Sequence, residues 1–120
     1  MQAWAIASKI KEIDDLLKPE DQTWVFEIHP EVSFWRLNGR KPMAHRKSRG
    51  AGREERRSLL LREFPDLDEH IGHCPHGVAV DDLLDAAVAA WSAIRLWESK
   101  GESVCTPCQD ARELRVAIHY

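Results

Sequence analysis

The chain has 120 residues, 43% of them hydrophobic and 31% charged, which is typical of one globular domain and argues against a disordered or fibrous protein. The net charge is −3, and no apolar run approaches the roughly 20 residues of a membrane span. Acidic residues follow the N-terminus too soon for a secretory signal. We therefore predict a single cytoplasmic domain over 1–120 with no membrane span. Three cysteines without such a signal indicate reduced thiols or a metal site, not a disulfide framework.

The first part of the chain predicts a helix followed by a strand. Apolar residues at helical spacing predict a helix over residues 3–17, which ends before Pro19 because proline cannot continue it. That apolar stripe consists of Ile6, Ile10, Ile13 and Leu17. Residues 23–29 alternate and are rich in β-branched and aromatic side chains, which predicts a strand that leaves the sheet at Pro30.

A basic segment follows. Ser33 is a candidate N-cap for a short helix that reaches Leu37, and residues 40–52 show no periodicity and predict a loop. Between positions 36 and 57 there are nine Lys and Arg but two acidic residues, so this segment carries +7 and the remainder −10. A basic segment on an acidic protein indicates attraction to a polyanion such as nucleic acid, and a solvated loop and helix face is the alternative.

The second half predicts two more helices and a strand. Residues 53–64 form an amphipathic helix ended by a proline, and residues 65–79 are irregular. Residues 81–99 predict the longest helix, with apolar groups over most of its surface, so we expect it to be largely buried. A polar loop then leads to a closing strand over 114–119.

The segment WVFEIHPEVSFW places polar groups at every second position. Glu27, His29 and Glu31 would share one face of an extended strand. That face is either the solvated side of an edge strand or part of a site. Trp24 and Trp35, at the two ends of the segment, are interpreted as core residues and not as stacking platforms for nucleic-acid bases.

Three aspartates open the longest helix in the segment VDDLLDAAVAAW. Asp81 and Asp82 suit a first helical turn because carboxylates there complement the helix dipole. Asp85 lies three residues after Asp82, on the same face and within an apolar surface. Because an unpaired buried carboxylate is costly, we expect Asp85 to face a cavity, a cation or a metal. With Glu27, the carboxylates would form an all-oxygen site that suits Mg²⁺ or Mn²⁺.

Several motifs in the same order resemble a widespread family of predicted ribonuclease H-like nucleases, related to Holliday-junction resolvases and classed as a domain of unknown function. The motifs are FEIHPEVSFWRLNG, RKSRGAGREERRSLL and DDLLDAAVAAW. QAWAIASKIKEIDDLL resembles the helix before the first motif, and LRVAIHY resembles the closing strand. The similarity therefore extends over nearly the whole chain.

The resemblance implies metal-dependent hydrolysis of phosphodiester bonds in nucleic acid. It implies that the catalytic, metal-binding residues are Glu27, Asp82 and Asp85. It also implies that phosphate is contacted by Lys47, Arg53 and Arg56, for which a plain helix surface is the alternative. The family's first three strands, one of which carries an Asp, have no counterpart in residues 1–120, so we expect the chain alone to be impaired in catalysis.

Cysteine and histidine residues suggest a second kind of metal site. A Cys-x-x-Cys pair with one further Cys and one His would satisfy tetrahedral zinc. The candidate ligands are Cys74, His76, Cys105 and Cys108. Only one Cys-x-x-Cys pair is present and about 30 residues separate the two halves, so zinc is the weaker prediction.

The expected fold is an α/β unit, the C-terminal half of a ribonuclease H-like domain, in which strands at 23–29 and 114–119 are packed by three helices. The open sheet edge predicts a homo-oligomer, or association with a missing N-terminal half. The leading function is a nuclease that requires Mg²⁺ or Mn²⁺. The alternative is a non-catalytic module that binds nucleic acid or is stabilised by zinc.

Overall fold

The computed structural model describes the backbone of residues 2–120 and the side chains of 6–104 and 108–120. The described residues form a mostly helical chain with a small sheet. Its elements are α1 (Gln2–Leu16), a 3-10 turn (Pro19–Thr23), α2 (Pro30–Leu37), α3 (Gly50–Leu60), α4 (Leu67–Gly72), α5 (Val80–Trp97), β1 (Ser103–Gln109) and β2 (Arg115–His119). The described part of the chain therefore has five helices, where three long helices and one short helix ending at Leu37 were expected. None of the described helices has the length and apolar character needed to cross a membrane.

The chain divides into two compact units, one formed by residues 1–27 and 105–117 and the other by residues 28–104 and 118–120. The first unit contains α1, which matches the predicted helix over 3–17. In the same unit, Gln22 connects the 3-10 turn to β2. Its side chain donates to the carbonyl oxygen of Arg115 at 2.9 Å and accepts from the backbone N–H of Arg115 at 2.8 Å. Ile10, in the predicted apolar stripe, is more than half exposed.

The sheet differs most from expectation. β1 pairs with β2, and reciprocal backbone hydrogen bonds of 2.9 Å between Glu102 and Tyr120 continue this antiparallel pairing beyond the strand ends. The predicted strand over 23–29 is reduced to a parallel bridge between Ile28 and His119. A 3-10 turn before it and a helix that begins at Pro30 leave too little extended chain for a longer strand.

The second unit contains a buried core between α2, α3, α4 and α5. α2 begins at Pro30, which tolerates the first helical position because its missing N–H has no partner there in any case. Ser33, the predicted cap, is instead buried inside the helix and accepts a hydrogen bond from Ser92 Oγ at 2.8 Å. The core consists of Phe34, Leu60, Leu67, Leu84, Val88 and Trp91.

Two tryptophans, Trp97 and Trp24, correct the burial predictions. α5 buries the face that carries Trp91 against α2 and α3, but Trp97 at its end is 91% exposed, so the prediction of a largely buried helix holds for one face only. Trp24, predicted to be core, is 70% exposed. Trp35 is partly buried, and its ring lies 6.0 Å from that of Tyr120 in an edge-to-face arrangement.

Candidate functional site: the basic loop and the start of α5

The basic loop, residues 40–49, is held against α3 by a carboxylate. Glu55 Oε1 accepts the backbone N–H of Ala44 at 2.7 Å, and its Oε2 accepts that of His45 at 3.0 Å. Burial by itself raises the pKa of Glu55, but these two N–H donors outweigh it, so the pKa lies below its ordinary value. The loop is therefore tied down by an ionised side chain.

Arg56 forms the second attachment of this loop. Its guanidinium pairs with both carboxylate oxygens of Glu31 at 3.2 and 2.7 Å, and it donates to the carbonyl oxygens of His45 at 3.2 Å and Gly52 at 2.9 Å. The same group lies 5.4 Å from the centre of the Phe34 ring, and the residue is only 3% exposed. Arg56 and Glu31 therefore link α3, α2 and the loop in one buried network.

Gly52 allows the loop to approach α3. A Cβ atom at this position would lie 2.0 Å from the carbonyl oxygen of Arg46 and 3.1 Å from that of His45. Both contacts are with backbone, which has no flexible end that moves aside. Only glycine therefore fits the observed packing. The sequence signal for this contact is the G-x-G at residues 50–52, which we interpreted as part of a loop.

The basic loop and the first turn of α3 place cations beside the acidic residues of α5. Lys47 Nζ lies 3.4 Å from Asp85 Oδ2, and Arg53 Nε lies 3.8 Å from Asp81 Oδ1. That oxygen of Asp81 is buried and accepts no hydrogen bond within the described part of the chain. Asp82, between them in sequence, is exposed. Of the cavity, cation or metal expected opposite Asp85, the structure shows a cation, the ammonium group of Lys47.

An open cleft of about 690 Å³ lies on the same unit. Its walls include Glu31 and Trp35 of α2, His45 and Lys47 of the basic loop, and Arg56 of α3. The cleft thus combines the aromatic ring of Trp35, the ammonium group of Lys47 on its flexible side chain, and the imidazole of His45. These groups suit an anion that also carries a flat apolar part, as a nucleotide does.

The predicted metal ligands are only partly brought together. Asp82 and Asp85 lie three residues apart on α5, whereas Glu27 is an exposed residue of the other unit. Within the described residues, no group of three or more His, Cys, Asp or Glu is placed to hold a metal ion. The three-carboxylate site therefore stays a prediction. The formation of a homo-oligomer, or the association with a missing N-terminal half, also stays a prediction.

The structure leaves the zinc prediction open as well. Cys74 and Cys108 are free thiols in different units, and Cys74 Sγ is 3.7 Å from the carbonyl oxygen of Val78. His76 is exposed. The side chain of Cys105 lies outside the described residues. A zinc site formed by these four residues therefore stays a prediction.

The attachment through Glu55 should weaken in acid. Because the pKa of Glu55 is below its ordinary value of 4.5 in the folded chain, its stabilisation is fully present above that value and is lost as the pH falls through the folded pKa. We expect Glu55→Gln to lower the free energy of unfolding near pH 7 by about 1–2 kcal/mol, and by progressively less as the pH falls below 4.5. Urea unfolding at a series of pH values from 7 downward, with Glu63→Gln as an exposed control, measures this. A loss that does not change with pH would contradict it.

Comparison with known proteins identifies the chain at the level of a family. A family model described as "Protein of unknown function (DUF429)" matches residues 1–112. No curated protein matches the sequence, and no solved structure matches it.

Proposed function

The chain belongs to the DUF429 family, and from that premise we propose that it binds nucleic acid at the basic loop and hydrolyses phosphodiester bonds with the aid of a divalent metal at the start of α5. The proposal depends on one observation above all. A loop rich in Lys and Arg is fixed in place so that Lys47 meets Asp85 at 3.4 Å. Phosphate-binding cations and metal-binding carboxylates are the two components that such chemistry needs side by side.

The basic component consists of exposed residues that are available to phosphate. Lys47 and Arg53 are each about half exposed and pair with acids only at 3.4 and 3.8 Å. Ion pairs of this kind contribute little to stability, so their cations are free to exchange a carboxylate for a phosphate. Arg56 is different, because four of the five N–H groups of its buried guanidinium already donate to Glu31, His45 and Gly52. Direct contact of Arg56 with phosphate stays a prediction. We propose that Arg56 instead positions the basic loop.

The acidic component fits a hard divalent cation by the chemistry of its donors. Asp82 and Asp85 share one face of α5, and Mg²⁺ is commonly held by one or two carboxylates together with water and substrate phosphate. When bound there, Mg²⁺ or Mn²⁺ would supply an activated water and neutralise charge on the phosphate. Lys47 pairs with Asp85, and it would move toward phosphate when the carboxylate binds the cation. Glu27, the third predicted ligand, belongs to the first unit and stays a prediction.

Divalent metal should stabilise the folded chain. At a free Mn²⁺ concentration about ten times the dissociation constant, we expect the thermal midpoint to rise by about 5 °C, because the metal binds only the folded state. Asp85→Asn should abolish this response, whereas Asp66→Asn, which changes an exposed acid just before α4, should retain it. A parent protein that is indifferent to Mn²⁺ and Mg²⁺ would mean that Asp85 serves only as the partner of Lys47.

A non-catalytic nucleic-acid-binding protein is the second candidate. It is favoured by the Lys47–Asp85 pair, which places a cation where a metal would lie, and by the lack of three-ligand groups in the described residues. Both candidates require binding through the basic loop. We expect Lys47→Gln and Arg53→Gln each to weaken binding of a labelled oligonucleotide and to reduce the slope of log K against log salt by about 1.

Cleavage of the same oligonucleotide separates the two candidates. Mn²⁺-dependent cleavage that is lost in Asp85→Asn, while binding persists, supports the nuclease. Binding without cleavage at any Mn²⁺ concentration supports the non-catalytic protein. Arg62→Gln is the matched control, because Arg62 is an exposed arginine just after α3. If Arg62→Gln weakens binding as much as Arg53→Gln does, the oligonucleotide does not bind at a defined surface formed by the basic loop and the start of α3.

A further inference from the structure

Three arginines share one glutamate at the other end of α2. Arg36 Nε donates to Glu102 Oε1 at 2.9 Å, Arg40 pairs with Glu102 Oε2, and Arg95 Nη2 lies 3.6 Å from Glu102 Oε1. All three belong to the second unit. The ion pairs that the structure describes for these arginines all involve Glu102, so the cluster has two more positive than negative charges.

Arg95 is the most buried member of this arginine cluster and retains an unsatisfied donor, although its Nη2 donates to the carbonyl oxygen of Lys100 at 2.5 Å. Its side chain is 14% exposed, and its Nε is buried without a hydrogen-bond partner among the described residues. Burial lowers the pKa of Arg95, and the charges of Arg36 and Arg40 lower it further, against the opposite effects of Glu102 and Tyr120. An arginine stays protonated in such surroundings. The cluster therefore retains a buried N–H donor and an excess of charge, both of which an anion would satisfy.

The remaining contacts orient the guanidinium groups for such an anion. Arg40 has a φ of +63°, in the left-handed region of backbone conformation that residues other than glycine rarely adopt. It follows Gly39, whose φ is +67°. This turn directs Arg40 over the ring of Trp35 at 5.8 Å. Arg95 lies over the ring of Trp91 at 5.0 Å. Stacking on aromatic rings restricts both planar groups while leaving N–H donors in their planes.

We propose that Arg36, Arg40 and Arg95 form a binding site for a phosphate group, in which Glu102 occupies part of the site when no phosphate is bound. Arginine suits this role because its planar donors match the oxygens of phosphate in pairs. Glu102 competes with the ligand, since its carboxylate bonds the same N–H groups. This site does not depend on the metal chemistry proposed for α5.

Calorimetric titration with inorganic phosphate tests the proposal at low ionic strength. We expect saturable binding by the parent protein. Arg40→Gln and Arg95→Gln should each weaken it about tenfold, because each removes a charged hydrogen-bond donor. Glu102→Gln should strengthen it about tenfold or more, since it removes a negative charge from the site. If Glu102 only stabilised the fold, Glu102→Gln would not raise the affinity for phosphate.

Further variants keep the test decisive. Arg40 is the more exposed of the two tested arginines, so Arg40→Gln is informative even where Arg95→Gln fails to fold. The control Arg62→Gln should bind as the parent does. Absence of saturable phosphate binding, or unchanged affinity in Arg40→Gln, overturns the proposal.

A single-stranded oligonucleotide then distinguishes the sources of the phosphate. If Glu102→Gln strengthens oligonucleotide binding as well as phosphate binding, the site serves the nucleic-acid backbone. If it strengthens only phosphate binding, the ligand is a small phosphate-bearing molecule. Glu102 lies outside the basic loop, so a failed nucleic-acid proposal at that loop does not affect this result.

Discussion

Arg56→Ala should lower the free energy of unfolding by about 3 kcal/mol, because it removes one partner of a buried ion pair. The substitution leaves the Glu31 carboxylate without its bidentate partner and the carbonyl oxygens of His45 and Gly52 without a donor. It also removes the cation above the Phe34 ring. Urea unfolding followed by circular dichroism measures the loss. Glu31 retains some exposure, which keeps the expected loss at the lower end for buried pairs.

The neighbouring arginine provides the matched control for this experiment. Arg57 pairs with Glu54 and Asp68 on the surface of α3 and α4, and about a third of its side chain is exposed. Arg57→Ala should therefore lower the free energy of unfolding by less than about 1 kcal/mol. Equal losses in the two variants would mean that the Arg56–Glu31 pair is no stronger than a surface ion pair. The loop would then need another anchor.

Gly52→Ala should destabilise the chain by about 3 kcal/mol, at the upper end for overpacking, because the new Cβ would overlap the backbone oxygen of Arg46. The loop must move away from α3 to relieve the contact. Movement would displace Lys47 from Asp85, so oligonucleotide affinity should fall together with stability. Thermal unfolding and anisotropy titration of the same protein measure both effects.

Gly50 makes this experiment specific. It lies two residues earlier in the same helix turn, and a Cβ there would meet no atom within 4 Å. Gly50→Ala should leave stability unchanged or raise it by up to about 1 kcal/mol, since alanine is the better helix former. If Gly52→Ala behaves like Gly50→Ala, the close approach of the loop does not occur in solution, and the positioning of Lys47 has to be explained in another way.

The sequence by itself determined those features that depend on local chain properties. Helical periodicity located α1 and α5 to within two residues of their ends. Pro19 marked the end of the first helix and Pro30 the end of extended chain, but the helix that begins at Pro30 was expected only from Ser33. The position of Asp85 on an apolar helix face indicated a cavity, a cation or a metal opposite it, and the structure shows the cation of Lys47 there. These inferences succeed because spacing along a helix sets which side chains are neighbours, whatever the rest of the fold does.

Tertiary structure alone decided which partners met. Residues 23–29 have strand composition, yet the structure describes an isolated bridge at Ile28 there and not a strand, because a strand forms where a neighbouring strand supplies hydrogen bonds along its length. Residues 103–109 are polar, yet they pair with β2. Neither the pairing of Arg56 with Glu31, 25 residues away, nor the sharing of Glu102 by three arginines follows from spacing in the sequence. Contacts between distant residues depend on how elements pack, and packing is a property of the whole core rather than of any one segment.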